Sequence, residues 1–255
     1  MNAFMRLIFT SDFFYSIFRV TTPLLFASMG AVLSDIAGVP NIALEGMMLI
    51  AAFAGMYFSY VFGSAFLGLL CAILFAVAAA GVMAFFTLYY KTNIILGGIA
   101  INSLASGGTV FFLYLAAHDK GTSVSLPSKV LPNINIPIIG DIPIIGPVIS
   151  GHNVLTYVAV IAVIFTWYLL KKTPLGYHLR AVGEKKEAAD SVGISVIKTQ
   201  TIALLLSGLM CGFGGAFMSM GYVSWFSRDM VSGRGWIALA AEAMGMQHPR
   251  GTAAT

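Results

Sequence analysis

Six long, mostly apolar runs, near 20–36, 42–62, 64–88, 94–117, 152–170 and 199–222, constrain this chain more than any other feature. A helix rises 1.5 Å per residue, so about twenty such residues cross the roughly 30 Å of a bilayer's hydrocarbon. In that medium the backbone must satisfy its own N–H and C=O groups, which predicts helices and forbids open sheet edges. The chain is 58% hydrophobic and 9% charged, against roughly a quarter charged in soluble domains, so lipid is its solvent. With a shorter apolar piece at 235–247, the expected fold class is all-α, a polytopic membrane helix bundle of six spans plus a broken seventh helix.

The opening "MNAFMRLIFTSDFFYSIF" does not read as a secretion signal, because Asp12 interrupts the apolar run and no small-residue cleavage site follows. It is read as an aromatic interfacial segment, 1–18, ahead of a membrane domain over 19–255. Cys71 and Cys211 fall inside predicted spans, without the spacing of a disulfide framework or a metal site, and are read as packing residues.

Charge is concentrated in one place. Of fourteen Lys and Arg and ten Asp and Glu, nine lie in "KKTPLGYHLRAVGEKKEAADSVGISVIK", 171–198. Its six basic residues place this loop on the cytoplasmic side by the positive-inside rule, which puts loop 118–151 and the N-terminus outside. Arg6 and Arg19 strain that assignment. Loop 118–151 contains the tandem "IPIIGDIPIIG" at 136–146, whose prolines withhold backbone donors, and it reads as an extended external cap.

Helices in lipid associate through close backbone approach at small residues. Ala72, Ala76, Ala80 and Ala84 form one such ridge in the third span, and Gly208, Gly212 and Ala216 another in the sixth.

Polar residues at depth carry more information, since a charge near the bilayer centre costs at least ~2.5 kcal/mol. In "GVPNIALEGMML", 38–49, Gly38 and Pro40 break a helix just before Asn41 and Glu45. Two readings are open and compatible: a broken helix beside a substrate path, or a loop in which Asn41 caps the next helix and Glu45 sits in its first turn, where the dipole favours it. In the fourth span Gly98, Asn102 and Ser106 lie four apart on one face. A neutral amide there can bond sugar hydroxyls or base edges, or a neighbouring helix.

No H-E-x-x-H, G-x-S-x-G or Walker sequence is present, so no catalytic residue and no metal ligand is assigned. An intramembrane enzyme would need a partner for Glu45, and none is evident. Uphill movement would draw its energy from another chain.

Within 171–198, Thr173-Pro174-Leu175-Gly176 stops the fifth span, and "EKKEAADSVG" can form a short amphipathic helix ended by Gly193, with Ala188, Ala189 and Ser191 small enough for docking. The run "TPLGYHLRAVGEKKEAADSVGISVIKTQTIALLLSGLMCGFGGAF" resembles the cytoplasmic loop and following helix of inner-membrane permeases of ABC importers, of the ribose and branched-chain amino acid type. "TPLLFASMGAVLSDIAGVPNIALEGMMLIAAFAG", 22–55, and "GRGWIALAAEAMG", 233–245, are similar to the branch that imports nucleosides.

This resemblance implies a type II-like importer permease, with 184–193 as the coupling helix that enters a cleft of the ATPase. Carried residue by residue, coupling falls to Thr173, Pro174, Gly176, Arg180, Gly183, Glu187, Ala188, Ala189 and Gly193; the pathway candidates are Asn41, Glu45, Gly98, Asn102 and Ser106. It also implies a partner ATPase that holds ATP and Mg, with no cofactor on this chain, a second homologous permease, and an extracytoplasmic substrate-binding lipoprotein. The setting is the cytoplasmic (inner) membrane, in contact with lipid and without nucleic acid. Nucleosides, purine nucleosides first, are the expected cargo, for which Phe53, Tyr57 and Phe58 can stack on a base; ribose-like sugars are the alternative, and an ion-coupled carrier or channel the more distant one. Relatives continue past the equivalent of 247 with further spans, so the chain is expected to be C-terminally incomplete, and Glu242 stands where the family pattern is apolar.

Overall fold

A computed structural model describes residues 11–135 and 150–255. The helices are α1 (Ser11–Asp35), α2 (Leu44–Phe62), α3 (Ala65–Ala84, closed by a π-helical turn Phe85–Tyr89), α4 (Ile94–Ala117), α5 (Val154–Lys172), α6 (Pro174–Glu184), α7 (Lys186–Ser191), α8 (Val196–Met220), α9 (Arg234–Met244) and α10 (Pro249–Ala254). Six of them, α1, α2, α3 with its π-turn, α4, α5 and α8, are long and apolar enough to cross a membrane. The fold is the expected helix bundle.

Three boundaries differ from the sequence reading. The first span does not start at 19 or 20, because α1 runs unbroken from Ser11 through 18–19; an apolar aromatic start without a breaker simply continues the helix. Residues 1–10 of the expected interfacial segment, and the tandem repeat at 136–146, lie outside the described residues. The apolar piece 235–247 ends at Met244, then turns through 245–248 into α10.

The core forms where small residues let backbones meet. α8 packs against α1, α2 and α3, and the two predicted ridges face each other. A Cβ on Gly208 would collide with Ala80 and Ala76, and one on Gly212 with Ile73, while Ala72, Ala76 and Ala80 are fully buried. On another side of α8, Gly215 lies directly on the α2 backbone at Met48. Van der Waals packing of this kind replaces the hydrophobic drive that helices lack between one another in lipid.

The bundle has two distinct ends. At one, segment 118–135 lies across segment 221–233, with Ser123 N–H donating to the Phe226 carbonyl at 2.9 Å and Leu131 N–H to the Met220 carbonyl at 2.9 Å. Asn153 ties both together by donating to the Leu131 carbonyl at 2.8 Å and the Gly221 carbonyl at 2.9 Å. At the other end, α6 and α7 fold against the irregular segment that follows α1.

Candidate functional site

Between α1 and α2 the chain is irregular over 36–43. Gly38 takes φ +69°, a left-handed conformation open to glycine, and Pro40 follows it. Buried backbone here cannot turn to water, so neighbouring helices satisfy it. Gln200 of α8 donates to the Ala37 carbonyl at 3.0 Å. Asn41, fully buried, accepts from Ala43 N–H at 3.0 Å and donates to Ser207 Oγ at 2.8 Å. From α4, Asn102 donates to the Ile42 carbonyl at 2.9 Å and accepts from Gly46 N–H at 2.7 Å. Gly98 is buried where a Cβ would press on Ile42, while Ser106, one turn further on, is exposed. The polar stripe therefore divides: its Gly98–Asn102 half clamps the break, and Ser106 takes no part.

Glu45 closes this node. It sits in the first turn of α2, and its two carboxylate oxygens accept Gly233 N–H at 2.7 Å and Gly235 N–H at 2.6 Å. Those are two of the donors that the first turn of α9 leaves without intrahelical partners. One half-buried carboxylate thus serves the starts of two helices, its own α2 and, from across the bundle, α9, where the dipoles favour a negative charge. Gly235 allows the contact, because a Cβ there would fall on the Glu45 backbone. The sequence reading placed Glu45 in its own helix's first turn; its second partner could not be seen without knowing that α9 starts opposite it.

α9 leads from this node to the end of α1. Glu242, 5% exposed, shares a hydrogen bond with Asp35, and its Oε1 is buried without a partner. Burial, together with the Asp35 carboxylate beside it, pushes the Glu242 carboxyl from the usual 4.5 up to about 7. Gln247 also donates to Asp35. The folded protein therefore holds a proton that the unfolded chain releases above about 4.5. Docking of α9 on α1 is unopposed by charge below that value and weakens as pH rises through about 7. The thermal unfolding midpoint is expected to fall across this interval, and Glu242→Gln, uncharged at every pH, is expected to flatten that fall.

The charged loop is a pair of helices. Thr173 caps α6 by accepting Gly176 N–H at 3.2 Å, with Pro174 at the first helical position. Leu179 and Val182 are buried, and Arg180 lies over the Tyr177 ring at 4.9 Å. Gly176 packs on the end of α5, and Gly183 packs so tightly on the Ile36 carbonyl that a Cβ would overlap it. α7 follows, with Glu187 and Ala188 exposed, Ala189 buried, and Gly193 at φ +84° with open space around it. The expected small-residue face is split, for Ala189 packs inward while Ala188 points out. Beside Ala188 stands Val192, 73% exposed, which the sequence reading passed over because a lone valine in a polar run carries no pattern.

Between α2, α3 and α4 lies a cavity of about 610 Å³, lined by Phe53, Tyr57, Phe58, Phe75, Phe112 and Thr109 among others. The three aromatics singled out from the sequence share it, with Phe53 and Tyr57 stacked at 6.0 Å between centroids. Among the described residues no cluster of three or more His, Cys, Asp or Glu is placed to hold a metal, and both cysteines are free thiols.

Residues 13–255 match the family model described as branched-chain amino acid transport system / permease component. The guanosine ABC transporter permease protein NupQ of Bacillus subtilis is 37% identical over 237 residues, covering 90% of this chain and 73% of that one. The nucleoside ABC transporter permease protein NupC of Lactococcus lactis is 33% identical over 238 residues, covering 91% and 74%. The glucose ABC transporter permease protein TsgB13 of Haloferax volcanii is 27% identical over 241 residues, covering 88% and 61%. A multi-pass helix bundle matched over nearly its full length, this chain belongs to the branched-chain amino acid transport system / permease component family of ABC transporter permeases.

Proposed function

We propose that this chain is a permease subunit of an ATP-driven importer that carries nucleosides, purine nucleosides first, across the cytoplasmic membrane. A partner ATPase holds ATP and Mg and hydrolyses the nucleotide; a second homologous permease completes the path; an extracytoplasmic lipoprotein delivers the substrate. The basic segment 171–198 faces the cytoplasm, and 118–151 faces outward. Glucose appears in the name of one relative, which keeps a sugar as the second reading.

One observation carries the coupling assignment: α6 rests through Gly183 on the irregular segment 36–43, which Glu45 in turn joins to α9. Push applied to α6 and α7 from the cytoplasm has a continuous packed route to the middle of the bundle. Thr173, Pro174 and Gly176 fix the angle at which the pair leaves α5, Arg180 braces Tyr177, and Glu187, Ala188 and Gly193 lie on its exposed side, while Ala189 holds α7 onto the bundle. Asn41, Gly98 and Asn102 act on the pathway by holding the break in shape. Ser106 and the aromatic cavity are the groups available to touch cargo, a base stacking on Phe53, Tyr57 or Phe58.

Ala188→Trp tests the docking face. In the reconstituted complex it is expected to abolish the stimulation of ATPase activity by loaded binding protein while leaving basal hydrolysis. Unchanged stimulation removes α7 from the coupling site.

A further inference from the structure

At the end that carries 118–135, a second cavity of about 610 Å³ opens between α1 and segment 217–234. Its lining holds three guanidiniums, Arg19, Arg228 and Arg234, against the one carboxylate of Asp229, an excess of two positive charges. Among the described residues none of the three arginines forms an ion pair. Arg234 donates to the carbonyls of Met230 at 3.2 Å and Val231 at 2.9 Å, and Arg19 lies over the Tyr222 ring at 4.6 Å. Among the described residues the Arg228 guanidinium has no side-chain or backbone acceptor. Arg19 lies within the α1 span, where an uncompensated charge is costly; with Arg6 it is one of the two residues that strain the charge-based orientation.

The helix that carries Arg19 is apolar and exposed alongside the cavity, whose own lining includes Val20 and Pro23. Phe13, Phe14, Ile17 and Val20 of α1 are exposed, and Trp225 is exposed at the rim. Exposed apolar helix surface below, and a Trp and a Tyr at the mouth, are the features of a site at the level of lipid headgroups. A cavity with an excess of positive charge attracts an anionic headgroup, and a guanidinium bonds phosphate through a rigid fork.

We infer that this cavity holds an anionic phospholipid, its phosphate between Arg19 and Arg228 and its acyl chains along the Phe13–Val20 side of α1. The site borders the Glu45 node, since Arg234 lies between Gly233 and Gly235, but Arg19 and Arg228 belong neither to that node nor to α6 and α7, so substitutions there test the lipid site apart from the transport reading. The excess of two positive charges makes it select phosphatidylglycerol over phosphatidylcholine.

The test reads lipid retained by the full chain, purified from vesicles of equal phosphatidylglycerol and phosphatidylcholine, by native mass spectrometry. Wild type is expected to keep phosphatidylglycerol several-fold in excess, the Arg19→Gln/Arg228→Gln variant to lose that excess, and the Arg19→Lys/Arg228→Lys variant to keep most of it. Because the two variants place similar bulk at the same positions, the Lys form separates lost charge from a folding defect. Equal retention of the two lipids by wild type, or undiminished selectivity in the Gln variant, overturns the proposal. So does displacement of the lipid by inorganic phosphate, which marks a free-anion site.

Discussion

Replacing Glu45 by alanine is expected to destabilise the bundle and stop transport together. The side chain satisfies Gly233 and Gly235 N–H through separate oxygens at 2.7 and 2.6 Å, and leaving a buried donor unpaired costs about 1–3 kcal/mol. Glu45 is half-buried, so some water can reach the orphaned donors and the lower part of that range applies to each. Glu45→Gln separates the contributions. Its amide keeps one acceptor, and its NH2 faces one of the two N–H groups, so one bond survives and one contact becomes donor against donor. An order of wild type, Gln, Ala in thermal stability, with uptake lost in the same order, is the expected result. Equal stability of the three proteins contradicts the view that one carboxylate holds both helix starts.

Gly183→Ala is expected to have the second large effect, for an unrelated reason. Gly183 is within α6, where alanine is intrinsically the better helix former by about 1 kcal/mol. Local propensity therefore predicts stabilisation. Its Cβ, however, would overlap the Ile36 carbonyl oxygen, a backbone atom that cannot swing aside as a side chain can, and overpacking of this kind costs about 1–3 kcal/mol. Sterics win, and they act at the joint between α6 and the irregular segment. The variant is expected to assemble with its ATPase and hydrolyse ATP while its uptake drops sharply. Gly193→Ala is the informative control: the residue has φ +84° but nothing within 4 Å of a Cβ, so backbone strain appears without displacement of the joint. Similar uptake loss in both would move the effect from the joint to helix integrity in general.

Much of this architecture is legible in the sequence because lipid leaves few choices. Long apolar runs gave the six spans, and small residues four apart gave the ridges that meet as Gly208 on Ala80 and Gly212 on Ala76. The break before α2 was legible from Gly38 and Pro40, but Asn41 is not the cap of α2: that position falls to Ala43, and Asn41 instead accepts Ala43 N–H across the turn that precedes the helix. What pattern does not encode is partnership across distance. The bonds from Asn102 to residues 42 and 46, and from Glu45 to residues 233 and 235, span 56 to 190 positions, and each end alone has an ordinary local explanation. α6 was missed for a different reason: Thr173, Pro174, and the spacing of Leu175, Leu179 and Val182 signal a capped amphipathic helix, but the Pro-Gly pair reads first as a stop. Glu242, an oddity in the sequence, is resolved by its neighbour: a carboxyl that keeps its proton can sit beside Asp35 where a charged one would be repelled.

The measurement that bears most directly on the role proposed for this chain is uptake of radiolabelled guanosine into vesicles that contain the full complex, with and without ATP inside and with unlabelled ribose or glucose as competitor. Accumulation that requires ATP and this chain, and that excess guanosine but neither sugar suppresses, is the predicted result. Guanosine entry that proceeds without ATP, or uptake suppressed by sugar and indifferent to unlabelled nucleoside, contradicts it.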